Sequence, residues 1–441
     1  MQNDSASTPT QKHKKSKKHK KNRPSGLIIN KKPVTLSAIP QNPNLQQPDR
    51  QKFPTICNFI HENYLFEIDS SKISHREIIK NDTQEENKLG DGNFGTVVSF
   101  ELLGKSLDSN DTKNLTCAIK KLPAIKDGKC KSAKYQILEA DIAKKSTKLG
   151  CQFTIKYFGA IYYNHSHQLW LIMEKMDICL CKFIKRSVTL GYTIDKIMNL
   201  NFIKKLTFSL IEGLKFLKDK LKIIHRDIKP SNTLIRAADS TIKICDFGIA
   251  ANLVASKRTY IGTAVYMSPE RCVSSPSEIN DLSRKVNKNE TKPENQPTGP
   301  KKPQPITYDD TCDVWSVGMT VGETINGKFL YDNKYLQNHM ALILQISDGE
   351  SPTISDKVKN LHIEAYDKTE ASKQLPTEDP YLMFDFIERK CLIKNVRKND
   401  ENLPIRPNYN ELGRDVFYKN ICESRWDQLD LRNFIEEVLN S

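Results

Sequence analysis

The residues best placed to do chemistry are His225-Arg226-Asp227-Ile228-Lys229-Pro230-Ser231-Asn232, a run holding a carboxylate, a cation and an amide at short offsets. Asp227 can accept the proton of an attacking hydroxyl and orient that hydroxyl. Lys229 can neutralise charge on a phosphoryl group in transfer, and Asn232 can ligate a metal through its amide oxygen. A polar loop built around one satisfied histidine would not need so many matching positions. Asp246-Phe247-Gly248 follows a strand expected over Thr241 to Cys245. The Asp246 carboxylate is a hard oxygen ligand suited to Mg²⁺ bridging nucleotide phosphates.

Phosphates also need a cradle. Leu89-Gly90-Asp91-Gly92-Asn93-Phe94-Gly95-Thr96-Val97 is a glycine-rich turn that lets backbone N–H groups approach ATP where a Cβ would obstruct them. A plain hairpin turn fits these nine residues as well. A dinucleotide-binding turn does not, because a strand follows instead of a helix. Lys120, in Ala118-Ile119-Lys120, lies on the next expected strand and can hold the α and β phosphates if a carboxylate fixes it. Glu139 on the following helix is the first candidate for that carboxylate, with Asp141 as the alternative. Further along, Met267-Ser268-Pro269-Glu270-Arg271 is expected to pair Glu270 with Arg406, and Asp313 is expected to open a buried helix and brace the catalytic loop. A simple helix cap is the plainer role for Asp313.

These residues need elements to hold them. Val97 to Phe100, Cys117 to Lys120, Thr154 to Tyr163 and Leu169 to Met173 read as strands; Tyr135 to Lys145 and Asn201 to Leu221 read as helices. A strand-rich part followed by a helix-rich part predicts an α+β fold of two lobes with a cleft between them. Residues 1–80 are poor in aromatics and rich in Lys, Asn, Gln and Pro, and read as a disordered tail. Phe53 to Phe66 is its most apolar stretch and the part able to pack on the folded region. Ser274 to Pro305 carries six prolines and reads as a disordered insert, and a second polar stretch spans Ser351 to Thr377. The folded domain is expected over 83–420, with a C-terminal helix over 421–441.

The net charge of +15 is concentrated. Residues 1–50 hold nine Lys and two Arg against two Asp, a net +9, so basicity is mainly a property of the tail and points to a partner bound there. There is no stretch of about 18 apolar residues, so no membrane span is expected. The 11 cysteines include no Cys-x-x-Cys pair, and no apolar leader opens the chain. The reading is an intracellular, reducing location, the cytoplasm first and the nucleus as the alternative.

The motifs together describe an ATP- and Mg²⁺-dependent protein kinase. In finer features the chain resembles the dual-specificity MAP kinase kinase family. The resemblance rests on Tyr157-Phe158-Gly159-Ala160, on Met173-Glu174-Lys175-Met176-Asp177, on the Ile224 to Asn232 run, and on Gly262-Thr263-Ala264-Val265-Tyr266-Met267-Ser268-Pro269-Glu270-Arg271. It implies the bilobal kinase fold and phosphorylation of Thr and Tyr in the activation loop of a downstream MAP kinase. It implies that Met173 is the gatekeeper and that Glu174 and Met176 line the adenine hinge. Lys20, Lys21, Arg23, Leu27 and Ile29 resemble the family's docking peptide, with cations for an acidic patch and aliphatics for an apolar groove. A nuclear-localisation or nucleic-acid-binding run is the plainer reading of those cations, though no aromatic residue interleaves Lys12 to Lys21.

The family is switched on by an upstream MAP kinase kinase kinase that phosphorylates two hydroxyls usually four residues apart. Ser256 and Thr259 are the candidates here, three apart, so the segment is one residue short of the pattern and Tyr260 is the alternative second site. Leu431, Phe434, Ile435, Val438 and Leu439 form an apolar stripe at helical spacing, either a helix packed on the large lobe or a docking site for the upstream kinase. The tail and the position of the long insert before Asp313 tilt the resemblance to the stress-type branch. Two other readings are a pseudokinase scaffold and a Ser/Thr kinase with a different substrate. The scaffold would need a missing catalytic group, and Lys120, Asp227, Asn232 and Asp246 are all present.

Overall fold

The computed structural model describes residues 55–56, 66–67, 88–92, 95–106, 112–122, 131–163, 168–247, 264–272, 309–368, 380–394, 404–423 and 427–441. Asn93, Phe94, Gly248, Ser256, Thr259, the docking residues Lys20, Lys21, Arg23, Leu27 and Ile29, and the Ser274 to Pro305 insert lie outside them.

The first lobe is an antiparallel sheet. Its strands are β1 (Thr55–Ile56), β2 (Phe66–Glu67), β3 (Lys88–Gly92), β4 (Gly95–Ser106), β5 (Thr112–Lys121), β6 (Tyr157–Tyr163) and β7 (Gln168–Glu174), in the order β1-β6-β7-β5-β4-β2, with β3 also on β4. The central strands carry unbroken apolar runs, Cys117-Ala118-Ile119 on β5 and Trp170-Leu171-Ile172 on β7, and all six residues are buried. A strand covered on both faces reads that way instead of alternating. β1 and β2 belong to the segment expected to be a tail. Two short pieces within 1–80 thus extend the sheet, because its outer strands β6 and β4 offer unpaired edges at Ile161-Tyr162 and Lys105-Ser106.

Among the described residues one helix accompanies this sheet, α1 (Lys131–Lys148). The second lobe is helical, with a small sheet of β8 (Ile178–Cys179), β9 (Thr233–Arg236) and β10 (Thr241–Ile244). Its helices are α2 (Leu180–Thr189), α3 (Leu200–Leu221), α4 (Pro269–Cys272), α5 (Thr311–Asn326), α6 (Asn333–Leu336), α7 (His339–Ser347), α8 (Asp356–Asp367), α9 (Pro380–Asp385), α10 (Tyr409–Leu412), α11 (Val416–Glu423) and α12 (Gln428–Leu439). α3 begins where the Asn199 side chain accepts the Phe202 amide at 2.9 Å, and it stops at Lys222, whose φ of +57° is left-handed. Its buried face runs Phe202, Leu206, Leu210, Leu214, Leu217, one residue per turn. All of α5 is buried, so it is the axis about which the other helices pack.

Two expectations are corrected. The polar stretch Ser351 to Thr377 contains a helix, α8, which buries Val358 and His362 one turn apart and packs the half-buried Ile363 against the core. The strand expected from Thr154 starts at Tyr157; Thr154 instead makes an isolated bridge to Ile244, and its hydroxyl lies 2.5 Å from that of Ser146. The apolar stripe of α12 is buried on the large lobe, with Phe434 edge-on to Phe183 at 5.6 Å and to Phe202 at 5.4 Å.

Candidate active site

The glycine-rich hairpin is β3 and β4, which close on each other at the Gly92–Gly95 pair. Leu89, Gly90, Asp91 and Gly92 lie on one arm, and Gly95, Thr96 and Val97 on the other. Val97 is in register with Lys120 on β5, so sheet pairing alone sets the hairpin beside the lysine. Gly95 is required for a reason the motif does not state. Its φ is +134°, and a Cβ there would lie 2.0 Å from the Lys121 carbonyl oxygen. At Gly90 a Cβ would meet nothing within 4 Å. Across the mouth of the cleft, Lys182 on α2 donates to the Leu89 carbonyl at 3.0 Å.

Lys120 Nζ lies 2.6 Å from Glu139 Oε1 on α1 and 3.0 Å from Asp246 Oδ1. Glu139 is therefore the fixing carboxylate. Asp141 is spent on the surface with Lys145 at 2.7 Å, one turn along the same helix. Burial works against the Lys120 ammonium, but the Asp246 and Glu139 carboxylates outweigh it and raise its pKa. The lysine is a fixed cation, aimed before any phosphate arrives.

Asp227 is 4% exposed. Lys229 Nζ donates to its Oδ2 at 2.8 Å and its Oδ1 at 3.0 Å. Asn232 Nδ2 donates to the Asp227 carbonyl and to Oδ2, both at 2.9 Å, which leaves the Asn232 amide oxygen as that side chain's acceptor. Burial pushes the Asp227 carboxyl up, and the Lys229 ammonium opposes the shift. A carboxylate raised in this way is a stronger base than an exposed one.

Two non-glycine residues of the site are left-handed, Arg226 at φ +66° and Asp246 at +68°. Such conformations cost about 1–3 kcal/mol each and persist where the surroundings overdetermine them. Asp313, fully buried in the first turn of α5, accepts the His225 amide at 2.8 Å and the Arg226 amide at 2.7 Å. It braces the catalytic loop; it is not the cap of its helix, which is Asp310. Phe247 is 1% exposed and edge-on to His225, with ring centroids 5.6 Å apart. It belongs to a cluster with Ala143 of α1, Leu171 of β7 and Leu217 of α3, so one side chain ties both lobes to the loop that carries Asp246. Glu270 pairs with Arg406 at 2.8 Å, as the sequence suggested.

Of the hinge residues, Met176 is buried in that same cluster and Met173 packs against it. Glu174 differs. Its carboxylate is taken by Lys243, by Arg236 at 3.1 Å and by the Lys156 amide at 2.6 Å. Any contact of Glu174 with a base is through its main chain. Sequence reasoning missed Lys182 and the pair formed by Tyr266 and Glu323, whose oxygens lie 2.6 Å apart. A lysine opening a helix and a glutamate inside one carry no local signal of such contacts.

The donor set suits a hard divalent cation: one Asp carboxylate and one Asn carbonyl. Among the described residues no three His, Cys, Asp or Glu side chains could hold a metal together, so a cation at Asp246 and Asn232 would take its remaining ligands from phosphate and water. No described helix is long and apolar enough to cross a membrane.

Comparison with known proteins agrees with this geometry. The protein kinase domain family matches residues 83–286. The chain is 28% identical over 360 residues to the dual specificity mitogen-activated protein kinase kinase hemipterous of Drosophila melanogaster, covering 81% of this chain and 24% of that protein. It is 28% identical over 369 residues to the dual specificity mitogen-activated protein kinase kinase sek-1 of Caenorhabditis elegans, covering 83% and 86%. It is 31% identical over 295 residues to the MAP kinase kinase PBS2 of Saccharomyces cerevisiae, covering 66% and 37%. The chain thus spans about a quarter of hemipterous, over a third of PBS2 and most of sek-1. Members of this family use ATP and a divalent metal. The chain thus carries a protein kinase domain over residues 83–286, and the relatives it resembles are mitogen-activated protein kinase kinases.

Proposed function

We propose that this chain is a dual-specificity kinase of a MAP kinase cascade, transferring the γ-phosphate of ATP to Thr and Tyr in the activation loop of a MAP kinase. The observation that carries the proposal is the assembly of two groups in one cleft: Lys120 with Glu139 and Asp246, and Asp227 with Lys229 and Asn232. The Lys120 ammonium holds the α and β phosphates. Asp227 accepts the hydroxyl proton of the substrate and orients its oxygen, and the neighbouring Lys229 balances charge on the transferred group. Asp246 and Asn232 would hold Mg²⁺, which when bound neutralises charge on the β and γ phosphates. Met173, Glu174 and Met176 line the base, and the glycine-rich hairpin covers the phosphates.

Lys20, Lys21, Arg23, Leu27 and Ile29 serve as the docking peptide for the MAP kinase, and Ser256 and Thr259 receive the activating phosphates from an upstream MAP kinase kinase kinase. Arg226 of the catalytic loop is the cation to pair with such a phosphate, and its buried Nε has no hydrogen-bond partner among the described residues. Because the apolar stripe of α12 is buried, an upstream kinase docking at this end would meet the polar groove where Asp430 accepts from Asn199 at 3.0 Å and Asn201 at 2.9 Å. The tail and the place of the long insert before Asp313 favour a stress-type cascade, and its location is read as cytoplasmic. The test of the switch is the Ser256→Ala, Thr259→Ala double variant co-expressed with an upstream kinase. Loss of activation is expected, and unchanged activation removes these two hydroxyls from the switch.

A further inference from the structure

The peptide unit that joins Arg226 to Asp227 is held at both ends. Its N–H, from Asp227, donates to His225 Nδ1 at 3.3 Å, a long bond. Its carbonyl, from Arg226, accepts from an Arg271 guanidinium nitrogen at 2.5 Å, a short and charge-assisted one. The preceding N–H, from Arg226, is fixed by Asp313 at 2.7 Å. Asp313 therefore pins one side of the Arg226 α-carbon and Arg271 the other. Between the two anchors Arg226 keeps its left-handed φ of +66°. A bare turn would relax from that value by rotating the peptide plane, and the same rotation would swing Asp227.

Arg271 comes from a rigid base. It lies in α4, directly after Glu270, whose carboxylate is locked by the fully buried Arg406 side chain at 2.8 Å. Just upstream, the Tyr266 carbonyl accepts from Ser316 at 2.8 Å and the Tyr266 hydroxyl donates to Glu323 at 2.6 Å, both on α5. Ala264 to Cys272 is thus fastened to the core helix, and Arg271 is the side chain that carries this placement to the catalytic loop.

We propose that Arg271 is a positioning residue for Asp227. It holds the Arg226 carbonyl, fixes the Arg226–Asp227 peptide plane, and couples the end of the activation segment to the aim of the catalytic base. This inference rests on the kinase reading above for its kinetic consequence, but its structural consequence can be read without activity.

The experiment compares the full-length wild type with Arg271→Ala and Arg271→Lys. Hydrogen exchange is followed in the peptide spanning His225 to Asn232, and kcat and the KM for ATP are measured on the same samples. Arg271→Ala is expected to speed exchange of that peptide at least threefold while α3 and α5 keep their protection. It is expected to lower kcat by about 10- to 100-fold, the scale of a small misplacement of a catalytic group, with the KM for ATP within about twofold. Arg271→Lys, which retains one charged donor, should fall between. Unchanged exchange of the His225 to Asn232 peptide in a folded variant overturns the inference whatever the activity does. So does a parallel loss of kcat, ATP affinity and thermal stability, which would make Arg271 a general structural residue. If Arg271→Ala does not fold, the exchange of Arg271→Lys decides. A wild type that transfers no phosphate would contradict the proposed function and leave the exchange result to judge Arg271.

Discussion

Lys120 and Glu139 meet at 2.6 Å across the gap between β5 and α1, with both side chains under 10% exposed. The Asp246 carboxylate, 126 residues further on, closes the group at 3.0 Å. Replacing the lysine leaves two carboxylates facing each other in a poorly solvated site, and one-sided removal from a buried pair costs about 3–5 kcal/mol. Lys120→Met is expected to lower the melting temperature and to cut phosphoryl transfer by about 100-fold or more. Asp141→Asn should change neither, since its exposed pair with Lys145 is worth about 0–1 kcal/mol. Thermal melts and a purified transfer assay on the two variants check this. Equal losses in both would contradict the assignment of Glu139.

The raised carboxyl of Asp227 has a consequence for pH dependence. Burial raises it and Lys229 opposes that rise, so the base protonates at a higher pH than an exposed aspartate. The acidic limb of kcat is therefore expected above the ordinary value of about 3.9. Lys229→Met removes the opposing cation. The limb should move to still higher pH while kcat falls, and Asp227→Asn should abolish both limb and rate. A limb that stays in place in Lys229→Met would break the link between the two side chains.

Glu323 predicts a stability effect of the opposite kind. Burial raises its pKa from 4.5 to about 7, with the Tyr266 hydroxyl and the Lys185 ammonium working against the shift. A folded-state pKa above the unfolded one means that the folded protein holds an extra proton between those values. The stabilising contribution is full below 4.5 and is lost as pH rises through about 7. Glu323→Gln cannot ionise, so its melting temperature relative to wild type should climb from about pH 4.5 to about pH 7 and level off above that. A difference independent of pH would show that Glu323 does not titrate in this range.

The glycines of the hairpin should separate by role. Gly95→Ala would force a Cβ to within 2.0 Å of the Lys121 carbonyl at a φ of +134°. It should destabilise the sheet by about 2 kcal/mol or more, seen in chemical denaturation without nucleotide. Gly90→Ala meets nothing within 4 Å and should leave stability unchanged, so any rise in its KM for ATP reports obstruction of the phosphates. Equal destabilisation by both would remove the distinction.

Asp227, Lys229 and Asn232 were legible because six residues hold all three, and a short loop with one backbone path brings them together. Lys120 was legible from its strand, because Val97 and Lys120 are paired neighbours in the sheet. Glu139 was the first candidate over Asp141, but only the rotation of α1 against β5 separates the two. Asp313 announced a buried helix start, but its grip on two amides of the catalytic loop depends on how α5 meets that loop. Tyr266 with Glu323 and Arg271 with Arg226 depend wholly on tertiary packing. α8 was hidden because only Val358 and His362 are buried, too few to write a period. The stripe of α12 was legible as a helix with two readings, packed on the large lobe or docking an upstream kinase, and its packing on Phe183 and Phe202 supports the first.

The most direct test of the account is a transfer assay with the purified, activated full-length chain, ATP and Mg²⁺ against a panel of catalytically dead MAP kinases, with every phosphorylated residue mapped. The account predicts that at least one MAP kinase gains phosphate on both the Thr and the Tyr of its activation loop, and that Asp227→Asn gives none. Transfer to no MAP kinase, transfer to one hydroxyl type only, or equal transfer by Asp227→Asn would contradict it.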